Sequence, residues 1–181
     1  MLTGQDVTVD NFEIKRAGNV HRKAIAGLIV QAFWEDFQSF EQTPERIERA
    51  LVQGIDPVRF FLALCEEEII GVAACSDMEG RAMTIHSPQT LVLQELLEDG
   101  TAFIEFVAVA KGSRRQGVAT ALVRTIVKQG GKQIYKLNVN EGNLPAIRCY
   151  EKLGFEPFKH IVEDAPGGGF RRKICMKRGA L

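Results

Sequence analysis

From Phe12 the chain alternates apolar and charged positions in FEIKRA, with Phe12 and Ile14 on one side, which is the period of a strand. The period then lengthens: Ile25, Leu28, Ile29, Ala32 and Phe33 recur at helical spacing, with Asn19 as the cap expected before them. Thr43, Pro44 and Glu45 read as a cap, a first-turn proline and a first-turn acid. They open a second helix whose apolar face is Ile47, Ala50 and Leu51 and whose end lies near Gly54. Two apolar runs, VRFFLALC and IIGVAACS, flank the acidic triplet Glu66–Glu68 and signal a hairpin. The stretch TAFIEFVAV, residues 101–109, is apolar on both faces, as a strand in mid-sheet must be. Val118, Ala121, Leu122 and Ile126 mark a helix face closed by Gly130 and Gly131. Ile134 to Val139 reads as a strand, and Asn143 as the cap of a helix with Pro145 in its first turn and Gly154 past its end. Phe158–Val162 and Phe170–Met176 then pair across the loop EDAPGGG. Over 77–100 the pattern is weaker, with Pro88 expected to open a short helix through VLQELLED, stopped at Gly100.

The order is strand, two helices, a mostly antiparallel set, then strand, helix, strand, helix and closing strands. It predicts one mixed α/β domain over residues 11–181, without linker or repeat, behind a flexible end at 1–10. A chain of 181 residues suffices for one such core. Charge narrows the partners. Lys and Arg total 23, Asp and Glu also 23, so a neutral chain has no global attraction for nucleic acid or an anionic membrane. The opening MLTGQDVTVD lacks the basic and apolar segments of a signal peptide, and no apolar run approaches the roughly 18 residues of a membrane span. A cytoplasmic protein is therefore expected. Cys65, Cys75, Cys149 and Cys175 lack paired spacing and read as buried thiols, and His21, His86 and His160 lack ligand spacing, so no metal site is expected.

One segment resists a purely structural reading. RRQGVA, Arg114 to Ala119, brings two arginines to a helix entrance that already carries about half a positive charge. The first N–H groups of a helix have no internal partners, so a phosphate there satisfies both the orphan donors and the arginines, and Gly117 lets the backbone approach it closely. Two better-known phosphate loops do not fit. Gly117 is followed by Val118 where a Walker A loop needs Lys and then Ser or Thr, and a dinucleotide fingerprint needs three glycines. Taken alone, the segment fits a solvated surface loop as well as a diphosphate cradle.

The surrounding chain extends the pattern. FIEFVAVAKGSRRQGVATALV, followed by LNVNEGNLPAIRCYEKLGF, closely resembles the GNAT acyltransferase superfamily, which uses acetyl-CoA. The first family motif is a strand ending in Val, a short loop, then Arg/Gln-x-x-Gly-x-Gly/Ala opening a helix; here Val109 precedes Arg114-Arg115-Gln116-Gly117-Val118-Ala119. The second appears as Asn143, Ala146, Tyr150, Gly154 and Phe155, with every position matched. Two departures are Lys111 where a proline is common and Ala119 in place of a second glycine. The stretch 77–100 is longer than the family minimum, an insertion that fits a lid or an interface.

The resemblance implies a mostly antiparallel central sheet flanked by helices, in which the strand 101–109 splays from the strand 134–139 to admit the thioester arm of acetyl-CoA. It implies that the backbone N–H groups of Arg115, Gln116, Gly117, Val118, Ala119 and Thr120 hold the pyrophosphate, with Arg114 adding charge and Asn143 also at the cofactor. Backbone groups of Val107, Ala108 and Val109 are expected to pair with the pantetheine amides, and one of those N–H groups to polarise the thioester carbonyl. Tyr150, by spacing alone a core aromatic, is by resemblance the acid that protonates the departing thiolate. Glu105 is the one charge in FIEFVAVA. Placed with Phe103, Val107 and Val109 on one strand face, it suits a general base and equally a structural ion pair. Cys149 stands about 100° around the helix from Tyr150 and reads as packing. Trp34, Glu35, Asp36 and Phe37 fall where the family forms its acceptor pocket, and would suit a cationic amine or a solvated helix end. The expected function is transfer of an acetyl group from acetyl-CoA to a primary amine of a small molecule by direct ternary-complex transfer. A non-catalytic acyl-CoA sensor and a protein lysine or N-terminal acetyltransferase remain as alternatives, and the resemblance admits a homodimer.

Overall fold

In a computed structural model of the chain, which describes residues 7–9, 11–37, 42–84, 98–164 and 169–180, the strand-period runs become one eight-stranded sheet. The strands are β1 (Val7–Val9), β2 (Phe12–Arg16), β3 (Phe60–Cys65), β4 (Glu68–Ser76), β5 (Thr101–Val109), β6 (Ile134–Asn140), β7 (Glu156–Asp164) and β8 (Phe170–Gly179). Their spatial order is β1-β2-β3-β4-β5-β6-β8-β7. Every neighbouring pair is antiparallel except β5 and β6, which are parallel and joined by a helical crossover. The helices are α1 (Arg22–Ala32), α2 (Trp34–Phe37), α3 (Pro44–Gly54), α4 (Val118–Gln129) and α5 (Leu144–Lys152). None of the described helices is long and apolar enough to cross a membrane.

The core has two halves, one on each face of the sheet. On one face α4 and α5 bury Val118, Leu122, Ile126, Tyr150 and Leu153 against Phe61, Ala73, Ile104 and Leu137. On the other, α1 and α3 bury Ile25, Ile29, Ile47 and Leu51 against Phe60, Leu62, Val72 and Ala74. Strands buried on both faces explain why β3, β4 and β5 read as continuous apolar runs. The β3–β4 hairpin turns through Glu66 and Glu67 at φ 48° and 70°, the left-handed pair that a two-residue hairpin requires.

Three expectations change. Val7–Val9 is an edge strand and not part of a loose end: Val7 pairs with Ile14 and Val9 with Phe12, because the open edge of β2 offers hydrogen-bonding groups that a Val-Thr-Val segment satisfies well. Asn19 does not cap α1. It lies in a 3-10 turn (Asn19–His21) whose Gly18 N–H donates to His21 Nδ1 at 2.9 Å, while Asn19 Oδ1 accepts from Arg22 Nε. Ala50 is exposed, so the buried face of α3 is Ile47 and Leu51 alone. The bridges Asp77↔Gly80 and Ile55↔Met83 return the chain after β4 across the end of α3. The helix expected from Pro88 lies outside the described residues, as does His86.

Candidate active site

β5 and β6 pair only from Thr101 with Ile134 to Ile104 with Leu137. Beyond that point β6 continues along β8, from Asn138 with Cys175 to Asn140 with Lys173, and β5 continues along β4 alone. The cause is a bulge. Ala74 pairs with Glu105 and Val72 with Ala108, so two β5 residues stand opposite the single residue Ala73. Phe106, one of the two, has φ 51°. An extra residue bends a strand and adds twist, which turns β5 away from β6 and opens a wedge between them. Residues 105–109 therefore have no partner strand on the β6 side among the described residues.

The bulge also corrects the placing of Glu105. Regular alternation puts it with Val107 and Val109, but those two pack with Ile104 against the α4 and α5 face. Phe106 and Ala108 pack on the α1 and α3 face. Glu105 lies on this second face, where its carboxylate accepts a hydrogen bond from Ser76 Oγ. Ser76 is fully buried, and its Oγ accepts from the Ala82 N–H at 2.8 Å, which leaves its one proton for Glu105. Burial pushes the Glu105 carboxyl up to about 7, against the opposing pull of the Ser76 hydrogen bond and the Arg81 charge.

Arg115 at φ 64° and Gly117 at φ 84° are both left-handed, and α4 begins directly after Gly117. Left-handed residues close together at a helix start turn successive N–H groups to one side and form an anion-binding concavity. A Cβ built on Gly117 would meet nothing within 4 Å, so glycine is needed for its backbone angle and the space before it is open. Arg114 and Arg115 are exposed. Arg114 Nε donates to the Val109 carbonyl at 3.2 Å, so that carbonyl is occupied from within the chain. Gln116 Nε2 donates to the Gly112 carbonyl and ties the loop together.

On the α4 and α5 face, Tyr150 is 8% exposed, and its hydroxyl makes no hydrogen bond among the described residues. Desolvation raises its pKa above the ordinary phenol value. Its ring meets Phe155 edge-on at 6.1 Å. Cys149 faces elsewhere, with Sγ 3.3 Å from Thr120 Oγ1, and fastens α5 to the first turn of α4. Asn143 caps α5 as expected, its Oδ1 accepting from the Ala146 N–H.

The residues expected at the acceptor pocket are brought together in part. Phe33 and Phe106 meet edge-to-face at 6.3 Å, and Trp34 and Phe37 pack in the same cluster. One of the two acids of that wall is already engaged: Arg171 Nη1 donates to the Asp36 carboxylate, and Arg171 Nη2 to the Glu35 backbone carbonyl. Three polar residues here escaped the sequence reading: Ser76, Arg81 and Asn138. Ser76 left a trace, as the polar residue closing an apolar strand; the other two left none, because the splay and the return of the chain after β4 place them. No group of three His, Cys, Asp or Glu residues able to hold a metal stands among the described residues.

Comparison with known proteins bears on this arrangement. The fold matches an N-acetyltransferase from Staphylococcus aureus Mu50 with TM-score 0.69 at 17% identity, covering 91% of this chain and 99% of that one. It matches the ribosomal-protein-S18-alanine N-acetyltransferase from Escherichia coli with TM-score 0.63 at 16% identity, covering 93% and 94%. In sequence, the chain is 28% identical over 104 residues to N-alpha-acetyltransferase 30 of Schizosaccharomyces pombe (strain 972 / ATCC 24843), over 56% of this chain and 59% of that protein. The chain thus spans about three-fifths of that relative's length. The model of one family covers residues 28–155, well over half the chain and both sides of the wedge, and so this chain belongs to the acetyltransferase (GNAT) family.

Proposed function

We propose that this protein is an N-acetyltransferase that moves an acetyl group from acetyl-CoA to a primary amine, in the first instance that of a small molecule, within one ternary complex. The observation that carries this reading is that Glu105 and Tyr150 lie on opposite faces of the sheet, on either side of the place where β5 leaves β6. A transfer through that opening needs a base on one side and an acid on the other. The residues present fit the cofactor: a concave run of N–H groups with open space at Gly117, two exposed arginines, and an unpaired strand edge alongside. Arg115 to Thr120 would hold the diphosphate, with Arg114 and the free amide hydrogens of Asn143 beside it. The N–H groups among Val107, Ala108 and Val109 would carry the pantetheine amides and the thioester oxygen.

Acetyl-CoA supplies the acetyl group as a thioester. Glu105 takes a proton from the acceptor ammonium, directly or through water, which frees the nitrogen lone pair to form the N–C bond. As the C–S bond breaks, Tyr150 donates its proton to the departing sulfur, and the amine's remaining excess proton replaces it through solvent. Protons balance, and no covalent enzyme intermediate is required.

A second reading follows from the relative named an N-alpha-acetyltransferase: the acceptor is then the α-amine of a polypeptide. The first experiment is calorimetric titration with acetyl-CoA, repeated on the Arg114→Ala/Arg115→Ala double variant, with a panel of small amines and peptides. Micromolar binding that weakens about tenfold or more in the double variant, together with acetylation of a panel member, is the expected result. Binding without any acetylation would leave an acyl-CoA sensor. No binding by the wild-type chain would end the cradle and the enzyme together.

A further inference from the structure

Placing Glu105 as the group that deprotonates the acceptor leaves two polar atoms unexplained. Arg81 Nη1 and Asn138 Oδ1 are buried and have no hydrogen-bond partner among the described residues. An unpaired buried donor or acceptor carries its full desolvation penalty, so each points to a group that arrives from outside. Both belong to the Glu105 face. Arg81 immediately precedes Ala82, whose N–H holds Ser76 against Glu105, and the Arg81 charge acts on the Glu105 carboxyl. Asn138 stands across the wedge: Glu105 and Asn138 are each one residue past the last β5–β6 pair, Ile104 with Leu137. Tyr135, Leu137 and Val139 fill the α4 and α5 face, which leaves Asn138 on the other.

The two atoms are opposite in kind. Arg81 offers an N–H to an oxygen, and Asn138 offers an oxygen to an N–H. We propose that they are the two ends of an acceptor subsite around Glu105, and that its ligand is an α-amino acyl group: an amine with a carbonyl or carboxylate oxygen on the adjacent carbon. This rests on the reading of Glu105 given above. The amine releases a proton to Glu105 and keeps an N–H for Asn138, while its acyl oxygen takes the Arg81 N–H. An alkylamine satisfies Asn138 and leaves Arg81 unpaired, and a polyamine brings a second cation against the guanidinium. A free amino acid and a peptide N-terminus share the chemistry; the first ends in a carboxylate and the second in a neutral carbonyl.

The test compares kcat/KM for alanine, trialanine and n-propylamine at saturating acetyl-CoA, in the wild-type protein, Arg81→Met and Asn138→Leu. Arg81→Met also shifts Glu105, so the ratio between acceptors on one enzyme is what counts. The expected wild-type preference for alanine or trialanine over propylamine is about tenfold or more, falling about tenfold in Arg81→Met. Which of the two is preferred identifies the source of the acyl oxygen. A wild-type ratio near one, or a ratio unchanged in both variants, overturns the proposal. If no amine is acetylated, the catalytic reading of Glu105 fails and the subsite is read by binding. Calorimetric binding of alanine or trialanine to the CoA-saturated protein that is lost in Arg81→Met supports it, and no binding to the wild type overturns it. Unchanged acetyl-CoA titration of each variant shows that it is folded.

Discussion

In the proposed transfer two side chains carry the proton movements, and each is tuned by what surrounds it. Tyr150 is held protonated by burial, which raises its pKa, so the acid form is present when the thiolate departs. Tyr150→Phe is expected to lower turnover about a hundredfold while acetyl-CoA affinity, read by calorimetry, changes little. Unchanged turnover would make the ring a packing residue against Phe155. Glu105 must be ionised to accept a proton, so activity should rise with pH through about 7. The Ser76 hydroxyl donates to the ionised form and favours it. Ser76→Ala removes that donor and should move the acidic limb of the kcat/KM profile to higher pH by about one unit. A limb that stays in place would mean that Ser76 serves only the fold.

Between elements, one contact sets where the cradle sits. Gly71 on β4 lies under the start of α4, and a Cβ added there would stand 2.6 Å from Val118 Cγ1 and 3.2 Å from Leu122 Cδ1. Val118 is the first residue of α4, directly after Gly117, so any displacement of it moves the orphan N–H groups. Gly71→Ala is expected to cost about 1–3 kcal/mol of stability by overpacking and to weaken acetyl-CoA binding as well. A denaturant melt and a calorimetric titration on the same variant check both. Loss of stability with full affinity would show that the helix start repositions freely. The bulge at Phe106 acts at the same scale: it puts Val107 and Val109 on the face opposite Glu105 and detaches β5 from β6 in one distortion.

Across the whole molecule, the site is costly to hold. Glu105 titrates near 7 in the folded chain and near 4.5 when free, so between those values the folded state holds the extra proton. Stability must then fall as pH rises from about 4.5 to about 7 and stay lower above it, by at most about 3 kcal/mol. Glu105→Gln removes the buried charge. It is expected to melt higher than the wild type at pH 8, with the gap closing towards pH 5, measured by thermal unfolding in matched buffers. An equal gap at both pH values would show that the difference is packing and not charge. The sheet is the partition that the proposed transfer uses, with Glu105 and the aromatic cluster of Phe33, Trp34 and Phe106 on one face and Tyr150 and α4 on the other.

Much of this was legible from the chain. Alternation, helical spacing and the glycines, prolines and caps that bound them are local properties, and they located β2 to β8, α1 and α3 to α5 within a few residues. The residues of the proposed cradle, Arg114, Arg115 and Gly117, were visible as a local pattern, but that segment alone fits a solvated loop as well, and the second motif from Asn143 to Phe155 was needed to favour an anion. The edge strand Val7–Val9 was not, because its pairing depends on an open edge supplied by β2. Nor was the face of Glu105, since one extra residue in β5, visible only against β4, reverses a strict two-residue alternation. Ser76 reaches Glu105 across 29 residues of chain, and Arg81 and Asn138 are likewise brought towards it from other segments. Residue identity and spacing determined the elements and the motifs of the proposed site; the bulge and the parting of two strands, which are properties of paired backbone, decided which side chains stand on either side of the wedge.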